Sequence, residues 1–380
     1  MNKNHLRIPG PTEVPDEVLG AMNKPMINHR GEEFEKVFKD VSEGIKYVFQ
    51  THNNVLIFPS AGTGIMEAAV VNLFCPQDKL LSFSNGVFGD RFASIAETFG
   101  TNVERVTVDW GKPVTPDLVR QHLRRDKNKE IKGILFTHNE TSTGVLNDIK
   151  SLREAVGDHP ALVVVDAVSS LGAIDLKTDD WGLDVVVTGA QKALMVPPGL
   201  GFISLSEKAL HAVETSKIPK YYWDFKAAIK SLKKHQTPYT PAISLIFALK
   251  KSLEIIKSEG LENIFLRHKK IAKALREGIK AIGLKLFVDD LYASPTVTAI
   301  DISNLGINLQ KVLKSNYNIT LAGGQKKLKN RIIRIGHLGY VDRLDIIVVL
   351  SALEMALKDK NIYGKGVRAA ELILSSGGED

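Results

Sequence analysis

The chain has 380 residues, of which 44% are hydrophobic and 24% are charged, so it is neither a disordered nor a fibrous protein. Its one cysteine, Cys75, excludes an internal disulfide and a metal site built from several cysteines, and we expect no metal site. The net charge of +7 raises a nucleic-acid-binding hypothesis. However, the basic residues are scattered among acidic neighbours without a nucleic-acid-binding motif, so we predict no such partner.

The ends of the chain carry no recognisable targeting signal. Residues 1–7 lack the apolar core of a signal peptide, and residues 377–380 lack a peroxisomal tripeptide. No apolar run approaches the roughly 18 residues of a membrane span. We therefore expect a cytoplasmic protein with no membrane partner.

Apolar runs and helical patterns alternate along most of the chain. A turn at Pro9-Gly-Pro11 precedes helices predicted at 16–22 and 32–49, which flank the loop Asn28-His-Arg-Gly31. Strands are predicted at 55–61, 79–85, 103–109, 131–138, 161–168, 183–190 and 200–206. Helices are predicted between them at 64–73, 91–99, 116–125 and 149–156. This alternation favours an α/β fold with a mainly parallel sheet that helices cover on both faces.

The C-terminal part has a different pattern. After an irregular basic stretch at 217–239, long helices are predicted at 241–258 and 261–282. Strands are then predicted at 296–302, 319–321 and 331–335, and helices at 308–315 and 342–358. We predict an N-terminal arm (1–15), a large domain (16–258) and a small α+β domain (259–380). The segment after Asn361 is expected to fray.

Two charged residues follow neighbouring predicted strands. Lys192 follows the strand at 183–190, and Asp166 lies near the end of the strand before it. Open α/β sheets bind ligands outside the carboxyl ends of their strands, where a desolvated lysine can attack a carbonyl. The alternative is a lysine that only reaches solvent. The aspartate favours the first interpretation, because pyridoxal phosphate needs a Schiff-base lysine and a carboxylate, and a buried aspartate needs a cationic partner.

Two further motifs suit anions. The turn Ser60-Ala-Gly-Thr-Gly64 opens a helix, where backbone N–H groups and the helix dipole favour a phosphate, although many strand–helix turns look alike. It lacks the lysine of a P-loop and the third glycine of a dinucleotide fingerprint, which weakens a dehydrogenase hypothesis. Arg334 interrupts an apolar strand, which suits either a structural ion pair or a bidentate bond to a substrate carboxylate.

Together these segments resemble the class V, fold-type I pyridoxal-phosphate enzymes, and more narrowly the serine–pyruvate and alanine–glyoxylate aminotransferases. The resemblance runs from Pro9-Gly-Pro-Thr12 to Arg334-Ile-Gly336 and beyond. It implies a large domain with a seven-stranded, mainly parallel sheet whose seventh strand is antiparallel, and a small C-terminal α+β domain. It also implies pyridoxal 5′-phosphate as the cofactor and a homodimer with shared active sites.

The resemblance also implies a role for each candidate near the cofactor ring. Lys192 would form the resting aldimine and then move a proton between Cα and C4′, while Asp166 would keep the pyridinium nitrogen protonated. Phe88, where the family often has tryptophan, and Val168 would lie against the two ring faces. Thr141 would bond to the phenolic oxygen.

Other candidates would bind the phosphate and the substrate. The phosphate would be bound by Ala61, Gly62, Thr63 and Gln191, and by Tyr239 and Thr240 of the neighbouring subunit, with Thr237 as an alternative to Thr240. The family often has serine at the position of Ala61. Alanine lacks the serine hydroxyl, so Ala61 would contribute only its backbone. Arg334 would bind the substrate carboxylate, and the turn around Gly10 would close over it. His29 and Arg30 would either meet a second carboxylate or anchor the loop at the mouth of the site.

We therefore predict a ping-pong aminotransferase that moves the amino group of serine or alanine to pyruvate or glyoxylate. Aminotransferases of the same fold for aspartate, phosphoserine or 2-aminoethylphosphonate remain alternatives, because substrate choice depends on a few side chains outside the shared motifs. A cysteine desulfurase or selenocysteine lyase of this class needs a mobile nucleophilic cysteine well after the lysine. The one cysteine, Cys75, precedes Lys192 and lies in a helix-like apolar run, so these enzymes are excluded. A non-catalytic basic binding protein is the alternative from another class, and the intact Lys192, Asp166 and Arg334 argue against it.

Overall fold

A computed structural model describes residues 3–376 of the chain. The first elements are β1 (His5–Arg7), α1 (Asp16–Ala21), α2 (Glu32–Phe49), β2 (Val55–Ser60), α3 (Gly62–Leu73), β3 (Lys79–Ser84), α4 (Val87–Thr98), β4 (Asn102–Thr107), α5 (Pro116–Leu123), β5 (Ile131–Thr137), β6 (Asn139–Glu140), β7 (Val145–Leu146), α6 (Ile149–Val156), β8 (Leu162–Asp166) and β9 (Val185–Gly189). They are followed by β10 (Gly199–Leu205), α7 (Glu207–Thr215), α8 (Phe225–Leu232), α9 (Ile243–Glu259), α10 (Leu261–Ala281), β11 (Lys285–Leu286), β12 (Val297–Asp301), α11 (Leu309–Tyr317), β13 (Ile319–Gly323), β14 (Ile332–Gly336), α12 (Arg343–Leu357) and α13 (Lys365–Ser375).

Many of the helices begin at a short polar residue. The side chain before the helix accepts a hydrogen bond from a first-turn N–H group, which would otherwise lack a partner. The residues that cap helices in this way are Thr115, Asp148, Ser206, Asp224, Asn308 and Asp342. The helix α3 is one of those without such a cap, because Ala61 precedes it.

A seven-stranded sheet in the order β2-β10-β9-β8-β5-β3-β4 forms the centre of the protein. Neighbouring strands are parallel, except that β10 is antiparallel to both β2 and β9. The central strands β8 and β9 are buried along their whole length, as expected for parallel strands with helices on both faces. The predicted α/β fold and its antiparallel seventh strand are therefore confirmed.

Each face of this sheet carries its own apolar core. Successive residues of one strand enter opposite cores, because side chains alternate along a strand. Thus Val165 and Phe202 belong to one core, together with Phe34 of α2. Val164 and Ile203 belong to the other core, on the side of α3 and α8.

A second sheet, in the order β1-β13-β14-β12-β11, contains five strands. Residues of this sheet and of the helices α10–α13 together form a third apolar core. The edge strand β1 comes from the N-terminus and pairs in parallel with β13, so the arm joins the C-terminal sheet. The boundaries at residues 15 and 258 stay predictions.

Two local predictions are wrong. The stretch 217–239 is not irregular throughout, since it contains α8, whose cap Asp224 accepts bonds from two first-turn N–H groups. The chain after Asn361 forms α13, because residues such as Val367 and Ile373 pack against the third core. Residues 377–380, where fraying was also expected, lie outside the described residues.

The position of Cys75 also differs from the prediction. The helix α3 ends at Leu73, and Cys75 follows it in a turn. The next residue is Pro76, which disfavours the helical conformation at Cys75. A desulfurase needs its nucleophilic cysteine after the lysine, and Cys75 still precedes Lys192, so a desulfurase stays excluded.

Residues 3–376 contain neither a membrane-spanning helix nor a cluster of metal ligands. No helix there combines the length and apolarity needed to cross a bilayer. In the same residues, no three side chains of His, Cys, Asp or Glu gather as metal ligands would.

Arg7 ties the N-terminal arm to the second sheet. Its Nη2 atom lies 2.6 Å from a carboxylate oxygen of Glu13 and 2.6 Å from one of Asp345, and only 5% of its side chain is exposed. We expect Arg7→Gln to destabilise the protein by about 3 kcal/mol, because the two partly buried carboxylates lose their shared cation. The urea concentration at half-unfolding would measure this loss.

The matched control is Arg120→Gln. Its partner Asp117 is 92% exposed, so the loss should stay below about 1 kcal/mol. Equal shifts for the two variants would contradict the role given to Arg7.

Candidate active site

A cavity of 260 Å³ lies beyond the carboxyl ends of β8 and β9. It is lined by Gly10, Pro11, Ala61, Gly62, Thr63, Met66, Phe88, Arg91, Asn139, Thr141, Asp166, Val168, Ser169, Gln191, Lys192 and Pro198. Most of the candidate residues from the sequence therefore meet in one place. The candidates outside the lining are His29, Arg30, Tyr239, Thr240 and Arg334.

Lys192 projects into the cavity from the turn after β9. Its Nζ atom donates a hydrogen bond to the carbonyl oxygen of Pro9. The side chain crosses Gly10, whose φ is +128° and where a Cβ atom would overlap the lysine. Burial, with the nearby charge of Arg334, lowers the pKa of Lys192 to about 8. An appreciable fraction of this amine is therefore neutral and nucleophilic near neutral pH.

Asp166 is the last residue of β8 and is 3% exposed. Its Oδ1 atom accepts a hydrogen bond of 2.9 Å from the backbone N–H of Val168. Burial raises the pKa of Asp166 to about 7, and the nearby Glu140 adds to this effect. Within residues 3–376 no cation forms an ion pair with it, so its charge suits a positive group on a ligand.

The helix α3 points its N-terminus at the cavity. It begins at Gly62, two residues earlier than predicted, and neither a side-chain cap nor a first-turn acid satisfies its N–H groups. A Cβ atom at Gly62 would lie 2.8 Å from Val168, so glycine allows this close approach. Nearby, Gln191 lines the cavity, and the Nε2 group of its side-chain amide is a donor from which an anion can accept a hydrogen bond. These polar groups form a site for an anion.

Phe88 lies in the first turn of α4, because that helix begins at Val87 and not at residue 91 as predicted. The buried carboxylate of Glu140 holds this turn in place. Its Oε2 atom accepts bonds of 3.0 and 3.1 Å from the backbone N–H groups of Phe88 and Gly89. A Cβ atom at Gly86 would overlap Glu140, so glycine is required there as well.

Glu140 is a residue of the site that did not stand out in the sequence. Burial raises its pKa, while bonds from Ser142, Phe88 and Gly89 stabilise the ionised form. In the sequence it looked like part of a polar turn. Its position after an apolar strand was the only signal, and many turn residues share that signal.

Thr141 belongs to a buried hydroxyl cluster. Its Oγ1 atom donates to Oγ of Ser169 over 2.6 Å, and Nδ2 of Asn139 donates to the same oxygen over 2.8 Å. Ser169 in turn donates to the carbonyl oxygen of Asn139. The cluster brings Asn139 and Ser169 to the cavity wall, and the sequence analysis assigned neither of them.

Arg334 lies in β14 and is 5% exposed. Its Nε and Nη2 atoms donate to the carbonyl oxygen of Gly323 over 3.0 and 2.8 Å, and Nη1 donates to that of Thr141 over 2.9 Å. Burial lowers its pKa to about 10, and the negative charge of Glu140 opposes this. Among the described residues, its partners are carbonyl groups, so it forms no structural ion pair.

The remaining candidates form a separate surface cluster. Arg30 donates to the carbonyl oxygens of Thr237 and Pro238 over 2.5 and 3.1 Å. Tyr239 stacks on Tyr221 and Tyr222, with ring centroids 5.5 and 5.6 Å away. Thr240 is exposed, and His29 is half-buried. These contacts show that Arg30 anchors the segment before Tyr239 and does not reach the cavity of its own chain.

Known proteins resemble the chain over almost its full length. The family described as Aminotransferase class-V matches residues 6–341. The soluble hydrogenase 42 kDa subunit of Anabaena cylindrica is 44% identical over 99% of this chain and 100% of its own length. The serine–glyoxylate aminotransferase of Arabidopsis thaliana is 38% identical over 98% and 95% of the two chains.

A solved structure agrees with these similarities. The ureidoglycine–glyoxylate aminotransferase of Bacillus subtilis has a TM-score of 0.90 and 30% identity, over 99% of both chains. Each name describes that protein only. The family match covers both sheets and includes Asp166, Lys192 and Arg334. The chain belongs to the class-V aminotransferase family and is an aminotransferase.

Proposed function

We propose that this aminotransferase uses pyridoxal 5′-phosphate to transfer the amino group of serine or alanine to glyoxylate or pyruvate. The observation that carries the proposal is that Lys192 and Asp166 follow adjacent strands and line one cavity. Two of the related proteins are named for glyoxylate, which supports this acceptor. Aspartate, phosphoserine and 2-aminoethylphosphonate remain alternative donors.

The residues of the cavity fit the cofactor. The buried carboxylate of Asp166 has no cationic partner, as a site for a protonated pyridine nitrogen requires. The uncapped N-terminus of α3 and the side-chain Nε2 group of Gln191 offer N–H donors to a phosphate. Phe88 and Val168 offer apolar surfaces to a flat ring.

When bound, the cofactor supplies an electron sink that stabilises negative charge at the substrate Cα. The neutral amine of Lys192 would take the proton from that Cα atom and deliver it to C4′, and its lowered pKa suits this role near neutral pH. Asp166, ionised opposite a cation, would keep a proton on the ring nitrogen. Thr141 and the apolar walls orient the ring and exclude water.

Arg334 is proposed to bind the substrate carboxylate. Three of its five N–H groups donate to the carbonyl groups of Gly323 and Thr141. One N–H group therefore remains on each terminal nitrogen for a carboxylate. Gly10 lies beside Lys192 and would close the same end of the cavity.

The surface cluster of His29, Arg30, Tyr239 and Thr240 supports a homodimer. None of these residues lines the cavity of its own chain, and Arg30 holds the segment in a defined shape. We propose that Tyr239 and Thr240 complete the phosphate site of a neighbouring subunit. A cytoplasmic location also belongs to this proposal.

Lys192→Ala should abolish covalent attachment of the cofactor. Borohydride reduction of the wild-type protein with pyridoxal phosphate should leave a pyridoxyl group on Lys192, located by mass spectrometry. The variant should also lose at least about 10²-fold in transfer rate, since it lacks the proton-moving amine. L-serine, L-alanine and L-aspartate, added in turn, would identify the donor by loss of the visible absorption band.

The control for this experiment is Lys208→Ala, because Lys208 pairs with Asp184 away from the cavity. That variant should bind the cofactor as the wild type does. A wild-type protein that takes up no pyridoxal phosphate would refute the proposed function.

Asp166→Asn should change how the stability of the cofactor-free protein depends on pH. Because the pKa of Asp166 is raised from 3.8 to about 7, the folded state keeps a proton that the unfolded state has lost between those values. The wild type therefore loses stability from this group as the pH rises through that window. Asparagine does not titrate, so the variant does not lose this stability. Its free energy of unfolding should therefore rise relative to that of the wild type by a few kcal/mol between about pH 4 and pH 7.

Urea unfolding of the two proteins across this pH range would measure the difference. The same variant should bind pyridoxal phosphate less tightly, because the cationic ring nitrogen loses its anion. A stability difference that does not change with pH would contradict the raised pKa.

A mixing experiment tests the shared site. Lys192→Ala and the double variant Tyr239→Ala, Thr240→Ala should each be weakly active. After subunit exchange, an equal mixture should reach about a quarter of wild-type activity, because half the dimers are hybrids with one intact site. No recovery, although mass measurements show hybrid dimers, would mean that these residues act within their own chain.

A further inference from the structure

Arg91 lines the cavity, and nothing in the sequence analysis assigned it a role. It follows Phe88 by three residues in α4, so both side chains lie on one face of that helix. The guanidinium carbon lies 4.8 Å from the centre of the Phe88 ring. The stacking holds the guanidinium group at the cavity wall beside the aromatic residue.

One hydrogen bond directs Arg91 to the N-terminus of α3. Its Nη1 atom donates to Oγ1 of Thr63 over 3.1 Å, and Thr63 lies in the first turn of that helix. In the described part of the chain Arg91 forms no ion pair, and this bond uses one of its five N–H groups. Several donors therefore remain for a ligand, and the hydroxyl proton of Thr63 also stays available.

The charge balance of the cavity points the same way. Lys192 and Arg91 are the two cationic residues in the lining, and Lys192 has the amine chemistry as its role. A phosphate monoester carries a charge of about −1.5 to −2, while a helix N-terminus supplies about +0.5. A guanidinium group pairs well with phosphate oxygens. The positive charge of Arg91 also favours the ionised carboxylate of Asp166 and the neutral amine of Lys192, and all three residues line the same cavity.

We propose that Arg91 binds the phosphate of the cofactor together with Thr63 and the first turn of α3. This inference rests on the proposed use of pyridoxal phosphate. The competing explanation is that Arg91 only supports the ring of Phe88 from behind. The two explanations differ in which part of the cofactor loses binding when the cation is removed.

The experiment compares two ligands of the cofactor-free protein, pyridoxal phosphate and pyridoxal, which lacks the phosphate. Arg91→Gln should raise the dissociation constant for pyridoxal phosphate by about 10- to 100-fold, because a charge-assisted bond is lost. Its dissociation constant for pyridoxal should stay within about twofold of the wild-type value. Unchanged pyridoxal binding would also show that the variant is folded. Spectroscopic titration measures all of these constants.

Two further variants complete the set. Arg91→Lys keeps the charge without the planar fork and should show an intermediate loss for pyridoxal phosphate. Arg105→Gln is the control, because Arg105 bonds to Glu97 on the outer side of α4. It should bind both ligands as the wild type does.

Two outcomes would overturn the inference while leaving the proposed function intact. Equal losses for both ligands in Arg91→Gln would show that Arg91 acts through the ring of Phe88. No loss for either ligand would show that Arg91 has no part in cofactor binding. A wild-type protein that binds neither ligand would refute both the inference and the proposed function.

Discussion

The carboxylate of Asp166 is buried at the end of a parallel strand, and no cation of the described chain pairs with it. In the cofactor-free protein this arrangement costs stability, since a buried charge needs a partner. Because β8 and β9 are adjacent and parallel, Lys192 emerges close to Asp166 in the same cavity. A ligand that brings a positive ring nitrogen and a carbonyl carbon would satisfy both groups at once.

Lys192 depends on both sheets. Its amine donates to Pro9, and its side chain crosses Gly10 of the N-terminal arm. Arg7 fastens that arm to α12 through Asp345, and β1 pairs with β13. Gly339 of the C-terminal part packs so closely that a Cβ atom there would lie 3.0 Å from the Lys192 carbonyl oxygen. Movement of one sheet relative to the other would therefore change the contacts of Lys192.

Glu140 and Arg91 join the aromatic wall to the rest of the site. Glu140 accepts hydrogen bonds from the start of α4, and Arg91 reaches from that helix to Thr63 of α3. Phe88 contacts both charged residues, because its backbone N–H donates to Glu140 and its ring stacks with Arg91. The geometry of the aromatic wall thus depends on electrostatic contacts as well as on apolar packing.

The sequence by itself determined the strands of the large sheet and placed Lys192 and Asp166 at their ends. It could do so because the alternation of apolar residues and the polar turn residues are local properties of the chain. The extra helices α8 and α13 were missed because their helical patterns are short and basic or partly exposed. The positions of Glu140, Arg91 and Arg30 in the site required tertiary structure. Their partners lie 52, 28 and 207 residues away in the chain, and only the packing of strands and helices brings such groups within hydrogen-bond distance.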